Sequence, residues 1–279
     1  MTNHLPPPAA ESLRTSDAVP HSPSAGAAAP RALRLSLVHA RANLLETVRV
    51  PIALIGSLVF PALALLFFVV PQRVVADDPV FATQAVISLS VFAVMSNGLF
   101  GYGISIAENR EKPWDPYLRT LPAPGIVRVT GLVLATGTLG ILAIVPVVIV
   151  GALLTAAEAS PARLFLGFVM LALTGLPSMF VGMAIGLSFP SKAAIAVVQV
   201  AMFALAFGGG LFLPPLMFPV WLDVATRFLP TRQARELVVW AVQGGTLEWW
   251  APVGAIASGV VLLLLVLVLI RRDQGRRFR

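Results

Sequence analysis

Cysteine is absent from this 279-residue chain, and histidine occurs three times, at His4, His21 and His39, all ahead of the first long apolar run. Without cysteine there is no disulfide framework, thiolate nucleophile or cysteine metal site. Without an imidazole beyond His39, a membrane-embedded Ser/His dyad and an HExxH zinc site are also excluded. Charge is the third scarcity: 12% of residues are charged, about half the usual share of roughly 25% in soluble domains. With 57% hydrophobic residues and a mean hydropathy of +0.87, the composition places the chain in a membrane, as an all-α polytopic protein. A net charge of +7 does not require nucleic acid, because its placement along the chain has another explanation.

Residues 1–29 hold Pro6, Pro7, Pro8, Pro20 and Pro23 among Ser and Ala and contain no continuous apolar run, which reads as a disordered cytoplasmic tail and not as a signal peptide. Over 30–50, Leu33, Leu37, Ala40, Leu44 and Val48 share one helical face while Arg31, Glu46 and Arg49 lie opposite; the pattern predicts an amphipathic helix in the membrane interface. The remainder, 51–279, predicts a six-span transmembrane domain with runs near 51–70, 82–106, 129–154, 164–188, 193–212 and 250–270. With the N-terminus inside, fifteen of the 20 Lys and Arg fall on the cytoplasmic side, and both termini are cytoplasmic. The long outward connection, 213–249, carries two short apolar stretches, VWLDVATRF and ARELVVWAV, neither long enough to cross. Trp221, Trp240, Trp249 and Trp250 cluster in it or at its edge, which suits a re-entrant or interfacial helix pair at headgroup level.

The spans hold no Asp, Glu, Lys or His in their cores, and the one Arg, Arg128, stands at the entry of the third. This disfavours ion-coupled carriage and channel activity, although broken helices at Pro61, Pro146 and Pro177 leave carbonyl ion sites open. A Walker A loop needs a Gly-Lys pair, whereas Lys112 follows Glu111 and Lys192 follows Ser191, so an ATP-driven machine built on this chain needs a separate ATPase. No catalytic residue and no metal ligand set stands out. The close acids Glu108, Glu111 and Asp115 lie amid compensating bases, unlike the clustered carboxylates of a metal-dependent lipid transferase.

One stretch breaks the scarcity of charge. IAENREKPWDPYLRTLPAP, from Ile106, packs Glu108, Arg110, Glu111, Lys112, Asp115 and Arg119 into a zero-sum cluster between the second and third spans. A balanced cluster is a poor anchor on anionic lipid and a good surface for specific cross-subunit pairs. Together with GGGLFLPPLMFPVWLDVATRFLPTRQARELV, from Gly208, it resembles the permease subunits of type-2 ATP-binding-cassette (ABC) exporters. The likeness covers the layout of residues 31–279: interfacial helix, six spans, charged first cytoplasmic loop and long outer segment before the last span. It departs at Pro113-Trp114, where that family often carries glycine.

The resemblance implies an ATP-driven exporter subunit of the plasma membrane, not itself an enzyme, with no cofactor of its own. ATP would be bound by a partner ABC ATPase, and a second permease copy, identical or similar, would complete the transporter. It further implies that Glu108, Arg110, Glu111, Lys112 and Trp114 contact the ATPase. Ser96, Asn97, Thr174, Ser178 and Gln199 are uncharged polar residues near mid-span, candidates for the substrate path, with hydrogen bonding between helices as the competing role. A weakly polar path suits a hydrophobic or lipid-like substrate, a drug, lipid or glycan conjugate. The alternative is an ATP-independent secondary or facilitative transporter.

Overall fold

The computed structural model describes residues 25–49, 51–113 and 125–275, with side chains described over 33–49, 58–113 and 130–273. Residues 1–24 of the expected tail, and Trp114, Asp115 and Arg119 of the charged stretch, lie outside the described residues. No strand occurs among those described. Helix α1 (Ala25–Val48) begins earlier than the expected residue 30, and α2 (Pro51–Ala64) runs into a π-turn at Leu65–Val69, one turn after Pro61. A short α3 (Arg73–Ala76) then leads to α4 (Pro79–Glu111).

Local chemistry sets both limits of α4. The Asp78 carboxylate accepts from the N–H groups of Val80 (2.8 Å) and Phe81 (3.0 Å), and Pro79 occupies the first turn, where its missing N–H is no loss. At the other end Pro113 forces Lys112 into extended backbone, with ψ 132°, and the helix stops. Its 33 residues give a length of about 50 Å, against a bilayer core of about 30 Å. The charged last turns therefore project past the apolar run.

Proline also divides two of the expected spans. Pro146 cannot donate to Leu142, and α5 (Gly125–Leu142) yields to α6 (Ile144–Leu154) at Ala143; Pro177 has the same effect between α7 (Pro161–Thr174) and α8 (Leu176–Ser188). Helix α9 (Ser191–Gly208) ends at a turn in which Gly210 takes φ +70°. The chain continues through a 3-10 turn at Pro215–Met217, α10 (Val220–Thr226), α11 (Pro230–Gln243) and α12 (Trp250–Gly275). Among the described residues five stretches are long and apolar enough to cross a bilayer: Pro79–Glu111, Thr130–Leu154, Pro161–Ser188, Ser191–Gly208 and Trp250–Asp273. The first expected span is helical from Pro51 to Val69, and its side chains are described from Leu58, where the apolar helix Leu58–Val69 begins. Helix is therefore present at each of the six expected spans, five of them full-length among the described residues.

Helix α4 occupies the centre, with 61% of its apolar window buried against 6% for α12 at the periphery. Lipid tails are as apolar as leucine, so dispersion between closely packed helices, and not transfer from water, holds this centre together. Glycine permits the approach of α8 to α4: a Cβ on Gly182 would stand 2.6 Å from the Gly98 carbonyl oxygen, and one on Gly186 2.7 Å from that of Gly103. Phe92, Met95, Leu99 and Tyr102 are buried along the same helix, and the Tyr102 hydroxyl donates to the Val133 carbonyl (2.9 Å). Helix α1 packs along α5 through buried Ser36 and Ala40 against Gly131, leaving Leu33, Leu37 and Val48 exposed. Its apolar stripe is therefore only partly used in contact with the protein, at Ala40.

The two ends of α4 organise everything else. At the Pro79 end, Thr83 hydrogen-bonds the Glu158 backbone and Gln84 meets Arg235 of α11. The expected outer helix pair is present as α10 and α11, and α11 is inserted among α4, α7 and α12. At the Glu111 end, α4 meets the start of α9 and the last turns of α12.

Candidate functional site

A cavity of about 820 Å³ opens beside α4 toward its Glu111 end, walled by α1, α2, α4, α5 and α9. It collects three of the five expected path residues, Ser96, Asn97 and Gln199, together with Glu108 and Lys112 from the charged stretch. Phe60, Phe92 and Phe100 supply aromatic wall, so one space offers apolar surface along the bilayer and polar groups at its charged end. Thr174 and Ser178 are elsewhere: both are buried around the Gly175 break. Three of the five make hydrogen bonds inside their own helices. Ser96 donates to the Ala93 carbonyl (3.1 Å), the Asn97 amide to the same carbonyl (3.0 Å) and Thr174 to that of Met170 (2.7 Å), each within its own helix.

Beside the cavity mouth, the last turn of α4 is fastened to two neighbours. Arg110 donates through Nη1 to the carbonyls of Gly186 (3.0 Å) and Leu187 (2.7 Å), which lie at the C-terminal end of α8, and through Nη2 to Asp273 of α12 (2.9 Å). A cation at a helix C-terminus satisfies orphan carbonyls and complements the helix dipole. Glu111 does the opposite service for α9, whose own N-cap is Pro190 and carries no side-chain cap: its carboxylate accepts from the Ser191 N–H (2.8 Å) and from the Ser191 hydroxyl. Two of the five residues expected at an ATPase contact thus hold α8, α9 and α12 to α4, while Glu108 and Lys112 line the cavity. Trp114 lies outside the described residues.

Residues 36–242 match the ABC-2 type transporter family. The chain belongs to that family. It is also 24% identical over 219 residues, 78% of this chain and 89% of the relative, to a Bacillus subtilis (strain 168) protein named "Putative transport permease YvfS". It is accordingly a multi-pass membrane permease subunit of an ABC transporter, and membership implies partnership with an ABC ATPase subunit.

The permease also carries a polar network that span counting passes over. At the Pro79 end, α11 buries Thr231, Arg232, Gln233, Ala234 and Arg235 in successive positions. Arg235 donates to Ser88 (3.0 Å), Glu236 (3.0 Å) and Gln84 (3.2 Å). Arg232 pairs with Asp223 (3.0 Å), which also takes Arg227 (2.6 Å). Burial pulls the Arg232 and Arg235 guanidinium groups down from their ordinary range, with Glu236 opposing the shift in both. Arginine starts so high that both remain charged. The signal available in the sequence was the run TRQAR at the head of an otherwise apolar stretch, which periodicity alone assigns to a solvated edge.

Proposed function

We propose that this permease is the membrane half of an ATP-driven exporter that takes an amphiphile from the cytoplasmic side and releases it outward. The observation that carries the reading is the 820 Å³ cavity, with its aromatic walls and polar groups, lying directly beside the charged end of α4. Its mixed lining suits a hydrophobic or lipid-like molecule with a polar head, whether drug, lipid or glycan conjugate. Energy comes from a separate ATPase docked on residues 108–114, since neither lysine follows a glycine as a Walker A loop requires. Movement there is passed to α8, α9 and α12 through Arg110 and Glu111. The Glu111 end faces the cytoplasm, both termini are cytoplasmic, the membrane is the plasma membrane, and two permease copies complete the transporter.

The test is ATP-dependent efflux from vesicles holding the permease with its ATPase. Charge reversal at Glu108 or Lys112, or Trp114→Ala, is expected to lower transport while insertion survives; loss of a buried, partnered interface charge costs about 2–5 kcal/mol. Asn97→Leu with Gln199→Leu is expected to change the substrate dependence and leave ATPase docking intact. Equal transport by all of these variants at normal expression refutes the assignment.

A further inference from the structure

At the Pro79 end a second cavity, of about 450 Å³, lies between α10, α11 and the turn at Pro215–Met217. Arg227, Arg232 and Arg235 line it together with Asp223 and Glu236. Three guanidinium groups against two carboxylates leave one positive charge in excess. Arg232 is 6% exposed, yet its Nη1 makes no hydrogen bond, and its Nε stands 3.3 Å from Glu236 Oε1 without hydrogen-bond geometry. A buried guanidinium donor left without an acceptor is costly, and such groups call for an explanation. The positive end of α11 adds to the imbalance, because its N-cap, Leu229, has no side chain able to cap the first-turn N–H groups. The Trp250 ring, 5.4 Å from Arg227 and 5.9 Å from Arg232, braces both cations without neutralising either.

The rest of the surroundings say what kind of anion fits. Leu216 and Val220, in the wall of the cavity, are each 81% exposed, and Trp221, Phe228 and Trp249 nearby are exposed as well. Free phosphate has no use for such a rim. An amphiphile does, with its head among the arginines and its chains across the apolar lip, at the depth where tryptophan belts collect. We propose that this cavity binds the phosphodiester headgroup of an anionic phospholipid, with Arg227 and Arg232 as its ligands and Arg235 holding the frame through Ser88 and Gln84. The site is separate from the 820 Å³ cavity and does not depend on what that cavity carries. In the orientation proposed above it faces the outer leaflet.

The test uses the purified full chain in a neutral detergent, titrated with dioctanoyl phosphatidylglycerol, with dioctanoyl phosphatidylcholine and with inorganic phosphate, reading the shift in thermal midpoint. Phosphatidylglycerol is expected to bind roughly tenfold more tightly than phosphatidylcholine, as one uncompensated charge in a partly buried site allows. Arg232→Gln and Arg227→Gln should remove that preference. Arg227 is 43% exposed in its side chain, so its variant folds even if the buried Arg232 variant does not. Arg73→Gln, on the exposed α3, should keep the preference and so exclude a general effect of surface charge. Equal binding of the two lipids, an unchanged preference in Arg227→Gln, or an equal loss in Arg73→Gln overturns the proposal. Stabilisation by inorganic phosphate matching that of phosphatidylglycerol overturns it too, assigning the arginines to a free anion.

Discussion

Replacing Arg110 with alanine removes three hydrogen bonds at once and unfastens the last turn of α4 from the ends of α8 and α12. The side chains of Arg110 and Asp273 are 27% and 14% exposed, placing the pair between the surface and buried limits. Exposed pairs contribute about 0.2–1 kcal/mol, and breaking a buried one costs about 3–5 kcal/mol. An intermediate loss of about 2 kcal/mol for the ion pair is therefore expected, and hydrogen bonds from a charged donor to the two carbonyls, worth about 1.5–3 kcal/mol each when fully shielded, raise the total to roughly 3–4 kcal/mol. Asp273→Asn keeps an acceptor and leaves the carbonyls of Gly186 and Leu187 capped, so its loss should be about half as large. The assay is resistance to unfolding in mixed micelles titrated with dodecyl sulfate, paired with amide exchange over residues 184–192. Arg110→Ala should unfold at lower dodecyl sulfate and exchange faster at the end of α8; Asp273→Asn should unfold early without the second effect. The swapped double variant, with Asp at 110 and Arg at 273, should not recover the parent, because aspartate cannot cap carbonyls. Parent-like unfolding and exchange in Arg110→Ala would refute the reasoning, and full rescue by the swap would reduce the contact to a simple ion pair.

Gly182→Ala forces a Cβ to within 2.6 Å of the Gly98 carbonyl oxygen, where neither partner is a movable side chain; an overpacking cost of about 1–3 kcal/mol should appear as reduced folded yield, whereas Ala at Gly137, whose Cβ would meet nothing nearer than 3.6 Å, should behave as the parent. The absence of cysteine makes topology directly testable: Cys at Asp77, Glu158 or Leu247 is expected to react with an impermeant thiol reagent in whole cells, and Cys at Asp115 or Gln274 to remain protected. Labelling at Asp115 from outside would invert the proposed orientation.

Much of the fold was legible because a bilayer forces the chain to declare itself. Backbone groups in hydrocarbon have to be bonded within a helix, and side chains there have to be apolar, so long runs between prolines and charges mark the helices. Pro79 and Pro113 bracket α4 in the sequence as they do in space. The kinks at Ala143 and Gly175 follow from Pro146 and Pro177, and the helix pair of the outward connection from its two short apolar stretches. The charged stretch stood out in the sequence, because Glu108, Arg110, Glu111 and Lys112 contrast with a chain of so little charge, but the expected contact was with another subunit, and the partners that Arg110 and Glu111 take here belong to their own chain.

Which partner each charge takes was not legible, because it depends on helices far apart in sequence arriving at one level of the bundle. Composition shows that Arg110 and Glu111 are polar ends of a span; only the return of α8, α9 and α12 to that end makes one a C-terminal cap and the other an N-terminal cap. Ser96 and Gln199 come to line one cavity with residues of α1, α2 and α5, while Thr174 and Ser178 are buried around the Gly175 break, where glycine contacts draw α8 against α4. Arg232 and Arg235 stand beside and within the short apolar stretch ARELVVWAV, and it is the insertion of α11 among α4, α7 and α12 that buries them. Periodicity and composition are properties of a chain taken a few turns at a time, and they decided which segments are helices and which belong in lipid. Burial and charge pairing are properties of distance between segments, and those the tertiary structure alone decided.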